Sequence, residues 1–270
     1  MVEIISSKDE IKRVPIFIEG LDEEMQGGVP EGGVILVSGT SGSMKSSVTF
    51  NILYNNALHG KNGIYLSLEQ SYVSLLNHMM NMDYDLSQIN LVIVTDLADL
   101  DQKIKTVNDS GQGSLFIVDL GVLRKELKNT KIGEQGDWLN VIKNILKRMK
   151  MQMKLDLFVL DSLSALYVLS QFTNPRVELF HIFEFLRDLE LTTFLISEMP
   201  LDKTRYSQYE VEDYLSDGII YLEMTKEYRK VLRSIAIIKM RATKTDLNMY
   251  TLVFSEGKFK ALYGGEPPLV

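Results

Sequence analysis

The stretch Val34-Ile-Leu-Val-Ser-Gly39-Thr-Ser-Gly-Ser-Met-Lys45-Ser46 decides how the chain is read. An apolar run meets a Gly- and Ser-rich loop, and a Lys-Ser pair then opens a helical pattern. That is the context a phosphate-binding loop requires. Backbone N–H groups of Gly39, Thr40, Ser41, Gly42, Ser43 and Met44 would point at phosphates, aided by the helix N-terminus and by Ser47 beyond it. Lys45 would reach the β- and γ-phosphates. The Ser46 hydroxyl would ligate Mg²⁺, which takes oxygen ligands. Gly39 and Gly42 allow close backbone approach. One position departs from the pattern: Met44 stands where Gly usually precedes the lysine. A side chain there crowds the phosphates or needs an unusual backbone angle. The alternative is a Ser-rich turn in which Ser46 only caps a helix.

Outward from this loop, short apolar β-like runs recur at Val34–Ser38, Gly63–Leu68, Leu91–Val94, Leu115–Val118, Leu157–Leu160 and Thr192–Ile196. Helical patterns lie between several of them, among them Ser46–His59 (ending at Gly60), Asp137–Met153 and Arg176–Glu190. Apolar strands alternating with helices predict a mostly parallel sheet covered on both faces. The end of the chain is different: Gly218–Met224, Val231–Met240, Tyr250–Ser255 and Lys258–Leu262 are closely spaced, and Glu256-Gly257 makes a tight hairpin. The expectation is an α/β P-loop NTPase with antiparallel C-terminal strands. One domain over residues 1–270 is the simplest organisation, with a short lead (1–13) and a short tail (263–270).

Two further carboxylates suit phosphate chemistry. Leu157-Phe-Val-Leu160-Asp161 ends an apolar run in an acid, and the carboxyl end of a strand faces the ligand crevice of an open α/β sheet. Asp161 is the expected second metal-site acid. Tyr65-Leu-Ser-Leu68-Glu69-Gln70 ends the strand after the loop's helix, so Glu69 would orient a water for attack on the γ-phosphate. The bland alternatives are a turn-capping Asp and a solvent-facing Glu.

Composition narrows the classes. The 270 residues carry 29 Lys plus Arg against 36 Asp plus Glu, a net charge of −7. With 45% hydrophobic and 24% charged residues, neither a disordered nor a fibrous chain fits. Zero Cys removes disulfides, thiol catalysis and Cys-based metal sites, and three His leave little for a multi-His metal site. The acidic balance argues against a nucleic-acid coat. No basic, apolar leader opens the chain, and no apolar run approaches the about 20 residues of a membrane span. A cytoplasmic protein with no membrane insertion is expected.

Taken together, these residues resemble the KaiC-like ATPases of the RecA superfamily, the single-domain archaeal kind. The entry segment Gly20-Leu-Asp22 and Gly27-Gly28-Val-Pro30-Glu-Gly32, the loop, Leu68-Glu69-Gln70, Val159-Leu160-Asp161-Ser162, Asp217-Gly-Ile-Ile-Tyr-Leu222 and Lys239-Met-Arg241-Ala-Thr243 carry the resemblance. It runs from about residue 14 to 262. It implies a RecA-like fold, ATP and Mg²⁺ as cofactors, and a homo-oligomer, a hexameric ring with ATP between subunits. It also implies that Lys239 and Arg241 reach the neighbour's γ-phosphate. Gln70 stands where a second acid is usual, Ala242 where Gly is usual, and Thr245 near the place of a usual His. Without the resemblance, Lys239 and Arg241 read as solvated charges near a strand end.

Other signals are weaker. Lys143, Lys147, Lys150 and Lys154 form a stripe that reads as a solvated face. His181 reads as a core or boundary residue, His59 sits at a helix end, and His78 has no evident partner. Thr192-Thr193 and Ser197-Glu198 would place polar groups near the γ-phosphate, and residues 201–210 suit an interface loop. The leading expectation is an oligomeric regulatory ATPase. A nucleotide-binding switch with little hydrolysis, for motility or signalling, is the second reading. A RecA- or RadA-like DNA-handling ATPase is the third.

Overall fold

The computed structural model describes residues 11–127, 138–170, 172–199, 206–227 and 229–263. Parts of the predicted lead, tail and 201–210 loop, and Asp137, lie outside these residues. In chain order the elements are β1 (Arg13–Val14), β2 (Ile18–Glu19), β3 (Val29–Pro30), β4 (Val34–Gly39), α1 (Lys45–Leu58), β5 (Asn62–Ser67), α2 (Tyr72–Asn81), β6 (Asn90–Val94), α3 (Leu100–Ser110), β7 (Ser114–Asp119) and α4 (Leu120–Leu127). After these come α5 (Trp138–Gln152), β8 (Leu157–Asp161), α6 (Leu163–Ser170), α7 (Pro175–Asp188), β9 (Thr192–Glu198), α8 (Val211–Leu215), β10 (Gly218–Glu227), β11 (Lys230–Met240), β12 (Met249–Ser255) and β13 (Lys258–Tyr263).

Eleven of the strands form one sheet, ordered β2-β13-β12-β11-β10-β4-β9-β8-β5-β7-β6. Every neighbour pair from β10 to β6 is parallel. The pairs joining β10, β11, β12 and β13 are antiparallel. β10 is the junction, parallel to β4 on one side and antiparallel to β11 on the other. The sheet is therefore α/β, mostly parallel and RecA-like, with an antiparallel C-terminal extension. The tight hairpin at Glu256-Gly257 is present, both residues at positive φ (54° and 72°), which suits the twist of the flanking strands.

The central strands are apolar on both faces because helices cover both. Ile35 and Val37 point into one core with Val48, Ile52 and Leu53 of α1. Val34 and Leu36 point into the other with Ile142, Leu146 and Leu186 of α5 and α7. Helix α1 ends as its sequence predicts. Gly60 has φ +82°, its N–H donates to Ala57 O, and Lys61 N–H donates to Asn56 O at 3.0 Å, satisfying carbonyls that the last turn leaves open.

One expectation needs correcting, and a second holds with an addition. His181 is exposed, since the buried stripe of α7 is Leu179, Ile182, Phe183 and Leu186; its Nδ1 lies 3.4 Å from Glu184 Oε2. The lysine stripe of α5 is more than a solvated face: Lys143 and Lys147 hold their Nζ atoms 5.3 and 5.5 Å from the ring centre of Phe185 on α7. Their stems cover an aromatic surface while the charges stay wet.

Candidate functional site

The register of the parallel strands brings their carboxyl ends together. Gly39 pairs with Glu198 across β4 and β9, and Ser67 of β5 pairs with both Asp161 of β8 and Asp119 of β7. The loop 39–46 leaves β4 at this edge. A Cβ on Gly39 would lie 2.2 Å from Leu222 O of β10, so only glycine lets the loop leave so close to that strand. The Ser43 hydroxyl donates to Thr40 O at 2.8 Å and tightens the turn. Met44 is the N-cap residue of α1, in left-handed conformation at φ +73°, ψ +25°. Ser46 therefore lies in the first helical turn and is not a cap. The Met44 side chain packs against the core cluster that contains the apolar residues of α1.

Lys45 is buried, and its Nζ donates to Gly39 O at 2.9 Å and Thr40 O at 3.0 Å. Burial lowers its pKa below that of an ordinary lysine, while Glu198, Asp161 and Glu69 push it back toward the charged form. Asp161 is buried too, and desolvation raises its pKa above the usual carboxylate value. The hydroxyls of Tyr65 and Ser46 beside it pull the other way. The Tyr65 hydroxyl donates to Asp161 Oδ2. Ser46 and Asp161 thus form a hydroxyl–carboxylate pair of hard oxygen donors. That set fits a Mg²⁺ ion that completes its shell with water and phosphate oxygens. Among the described residues no group of three or more His, Asp or Glu could hold a metal unaided.

Glu69 follows β5 and accepts a hydrogen bond from the Ser162 hydroxyl at Oε1. Ser162 Oγ in turn accepts from Ala165 N–H at 3.1 Å. Leu68 N–H donates to Asp161 O at 2.6 Å, tying the Glu69 turn to the end of β8. Asp119 completes the frame: its Oδ2 accepts from Tyr72 N–H at 2.9 Å and its Oδ1 from Val122 N–H at 3.1 Å. Sequence reading passed over Asp119, although Leu115-Phe-Ile-Val118-Asp119 has the same pattern as Leu157–Asp161.

A cavity of about 650 Å³ opens at this edge, lined by Ser41, Gly42, Met44, Lys45, Ser46, Ser47, Glu69, Gln70, Asp161, Ser162 and Glu198 from the loop and strand ends. Ser74 and His78 of α2 and Arg233 of β11 line it as well. Arg233 Nε donates to Gly42 O at 3.4 Å. Neither Arg233 nor the His78 contact was read from the sequence, because both depend on which elements become neighbours.

Lys239 and Arg241 do not line this cavity. Lys239 Nζ donates to Asp213 O at 2.9 Å, Ser216 O at 2.6 Å and Tyr214 O at 3.4 Å, at the C-terminal end of α8. Burial lowers the pKa of Lys239 and Arg241 adds to that, while Asp217 and Asp213 raise it. Arg241 Nη1 donates to Asp217 Oδ1 at 2.8 Å. Both are therefore hydrogen-bonded to their own chain, Lys239 half-buried and Arg241 still exposed to solvent as the bare reading holds. Thr192 and Thr193 lie at the far end of β9, pairing with Leu157 and Val34 at strand starts. From β9, Ile196 and Glu198 line the cavity, whereas Ser197 between them does not and its hydroxyl is buried without a hydrogen-bond partner.

The comparisons agree with this geometry. The family model described as "ATPase: KaiC" matches residues 14–260. The circadian clock oscillator protein KaiC of Thermostichus vulcanus is 25% identical over 255 residues, covering 93% of this chain and 44% of that one. The chain thus spans less than half the length of the clock proteins it matches. A UPF0273 protein of Pyrobaculum aerophilum is 26% identical over 94% of this chain and 83% of its own length. The crystal structure of a KaiC-like protein from Pyrococcus horikoshii superposes with a TM-score of 0.69 at 21% identity, covering 93% of this chain and 99% of that one.

Proposed function

The chain belongs to the KaiC ATPase family, and on that premise we propose that it is a Mg²⁺-dependent ATPase working as one domain in a cytoplasmic homo-oligomeric ring. The observation that carries the reading is the convergence of Lys45, Ser46, Glu69 and Asp161 on one cavity at the carboxyl ends of adjacent parallel strands. Loop amides and Lys45 bind the phosphates of ATP. Ser46 and Asp161 hold the metal. Mg²⁺, when bound, neutralises charge on the phosphate oxygens. Glu69, held by Ser162, orients the attacking water and accepts its proton as the water attacks the γ-phosphate. Arg233 adds a positive charge at the mouth of the site. Lys239 and Arg241 act from the adjacent subunit of a hexamer, leaving their contacts with residues 213–217 to do so. Nucleotide state then changes the ring's shape or partners, which makes the activity regulatory, with slow turnover.

Phosphate release from ATP by the purified protein with Mg²⁺ tests this directly. Turnover that disappears in Lys45→Ala supports it; turnover no higher than that variant refutes the enzyme. Gln70 favours a second reading, a nucleotide switch with little hydrolysis. It lines the cavity beside Glu69 where relatives commonly carry another acid. Oligomerisation driven by ATP without turnover selects that reading.

A further inference from the structure

Helix α2 presents a polar stripe to the cavity. Ser74 and His78 are one turn apart on it, and Gln70, which precedes the Ser71 cap of the helix, lines the cavity beside them. The stripe meets α1 at one point: Ser47 Oγ lies 3.1 Å from His78 Nε2. Ser47 is buried and follows directly on Ser46, about 100° further round the helix. It therefore faces α2 rather than the Asp161 side of the site. A buried hydroxyl rotates to suit its partner and carries one proton. When His78 Nε2–H donates to Ser47 Oγ, the hydroxyl proton is released to point into the cavity.

We propose that His78 is a positioning residue for the bound nucleotide, acting through Ser47 to aim a hydroxyl proton at a phosphate oxygen. The inference rests on the nucleotide reading of the cavity. It adds a polar arm from α2 that neither the loop pattern nor the family resemblance supplies. His78 is exposed on a helix whose packing residues are Leu75 and Met79, so replacing it leaves the docking of α2 intact.

Titration with a fluorescent ATP analogue, alongside steady-state turnover, tests the proposal in the full chain. Losing one such hydrogen bond weakens nucleotide binding about threefold to tenfold. His78→Phe is expected to show that loss, in KM rather than in kcat. Ser47→Ala is expected to show a loss of the same size, and the double variant no more than Ser47→Ala alone. His78→Gln, which keeps an N–H donor near the place of Nε2, is expected to restore most of the affinity. Unchanged binding in His78→Phe overturns the proposal. So do losses that multiply in the double variant, since His78 then acts by another route, and failure of His78→Gln to restore binding. Wild-type protein that binds no better than Lys45→Ala overturns the nucleotide reading itself, and this proposal with it.

Discussion

The Tyr65 hydroxyl donates to Asp161 Oδ2 between the adjacent parallel strands β5 and β8. Tyr65 is fully buried, and burial first, then the neighbouring carboxylate, holds its proton on well above the ordinary tyrosine range. The phenol is thus a permanent donor that favours the ionised form of Asp161, against the desolvation that raises its pKa. Tyr65→Phe removes that donor, so Asp161 keeps its proton to higher pH. The acid limb of kcat/KM against pH, at fixed Mg²⁺, is expected to move upward. An unchanged limb means that Asp161 ionisation does not gate the reaction.

The same balance has a consequence for folding. The raised pKa means that folded Asp161 binds its proton more tightly than the unfolded chain does. Its stability penalty is absent below the ordinary carboxylate value and grows as pH rises toward the raised one. Asp161→Asn is expected to be more stable than wild type near pH 8, with little gain near pH 4. If Asp161 holds the metal as proposed, activity is expected to fall about a hundredfold or more as well. Urea denaturation at the two pH values measures the first; a gain of equal size at both contradicts it.

Met44 occupies a left-handed conformation that glycine adopts freely and β-branched residues rarely do. Met44→Ile is expected to destabilise the protein by about 2 kcal/mol. Met44→Gly trades relief of strain against lost packing and changes stability by about 1 kcal/mol or less. Equal effects of the two substitutions in thermal or chemical denaturation would argue against backbone strain at this position.

Lys239 and Arg241 make their contacts within their own chain, with Ser216 O and Asp217. If they act across subunits, two inactive proteins complement each other. Lys45→Ala subunits lack a working loop but carry both cations; Arg241→Ala subunits have the loop and lack a cation. Mixing them under conditions that allow subunit exchange is expected to restore part of the ATP turnover. A mixture as inactive as its components would leave Lys239 and Arg241 with the role seen here, holding residues 213–217 against β11.

The parts of the site legible in the sequence are those encoded over short distances. A phosphate loop is a strand, a turn and a helix start in consecutive residues, and Asp161 and Glu69 each end an apolar run. Asp119 ends an equally clear run, yet its job of holding the first residue of α2, just after the Glu69 turn, arises because β5 lies beside β7. Strand order is set by packing over long sequence separations, and no local pattern states it. Thr192 and Thr193 failed as site residues for a related reason. β9 runs parallel to β4, so its first residues lie at the end of the sheet away from the loop.

The sequence by itself determined the fold class and the strand–turn–helix conformation of the loop, because backbone geometry and apolar periodicity are local and repeat along the chain. It also marked Met44 and Ala242 as residues standing where glycine is usual. Tertiary structure alone decided what those positions became: both keep a left-handed backbone, at φ 73° and 55°. Met44 is held there by the core beneath α1, and Ala242 by its carbonyl accepting from Arg13 Nη2 at 2.7 Å. Packing and hydrogen bonds from distant parts of the chain outweigh a residue's own conformational preference of about 1–2 kcal/mol, and only the folded chain assembles them.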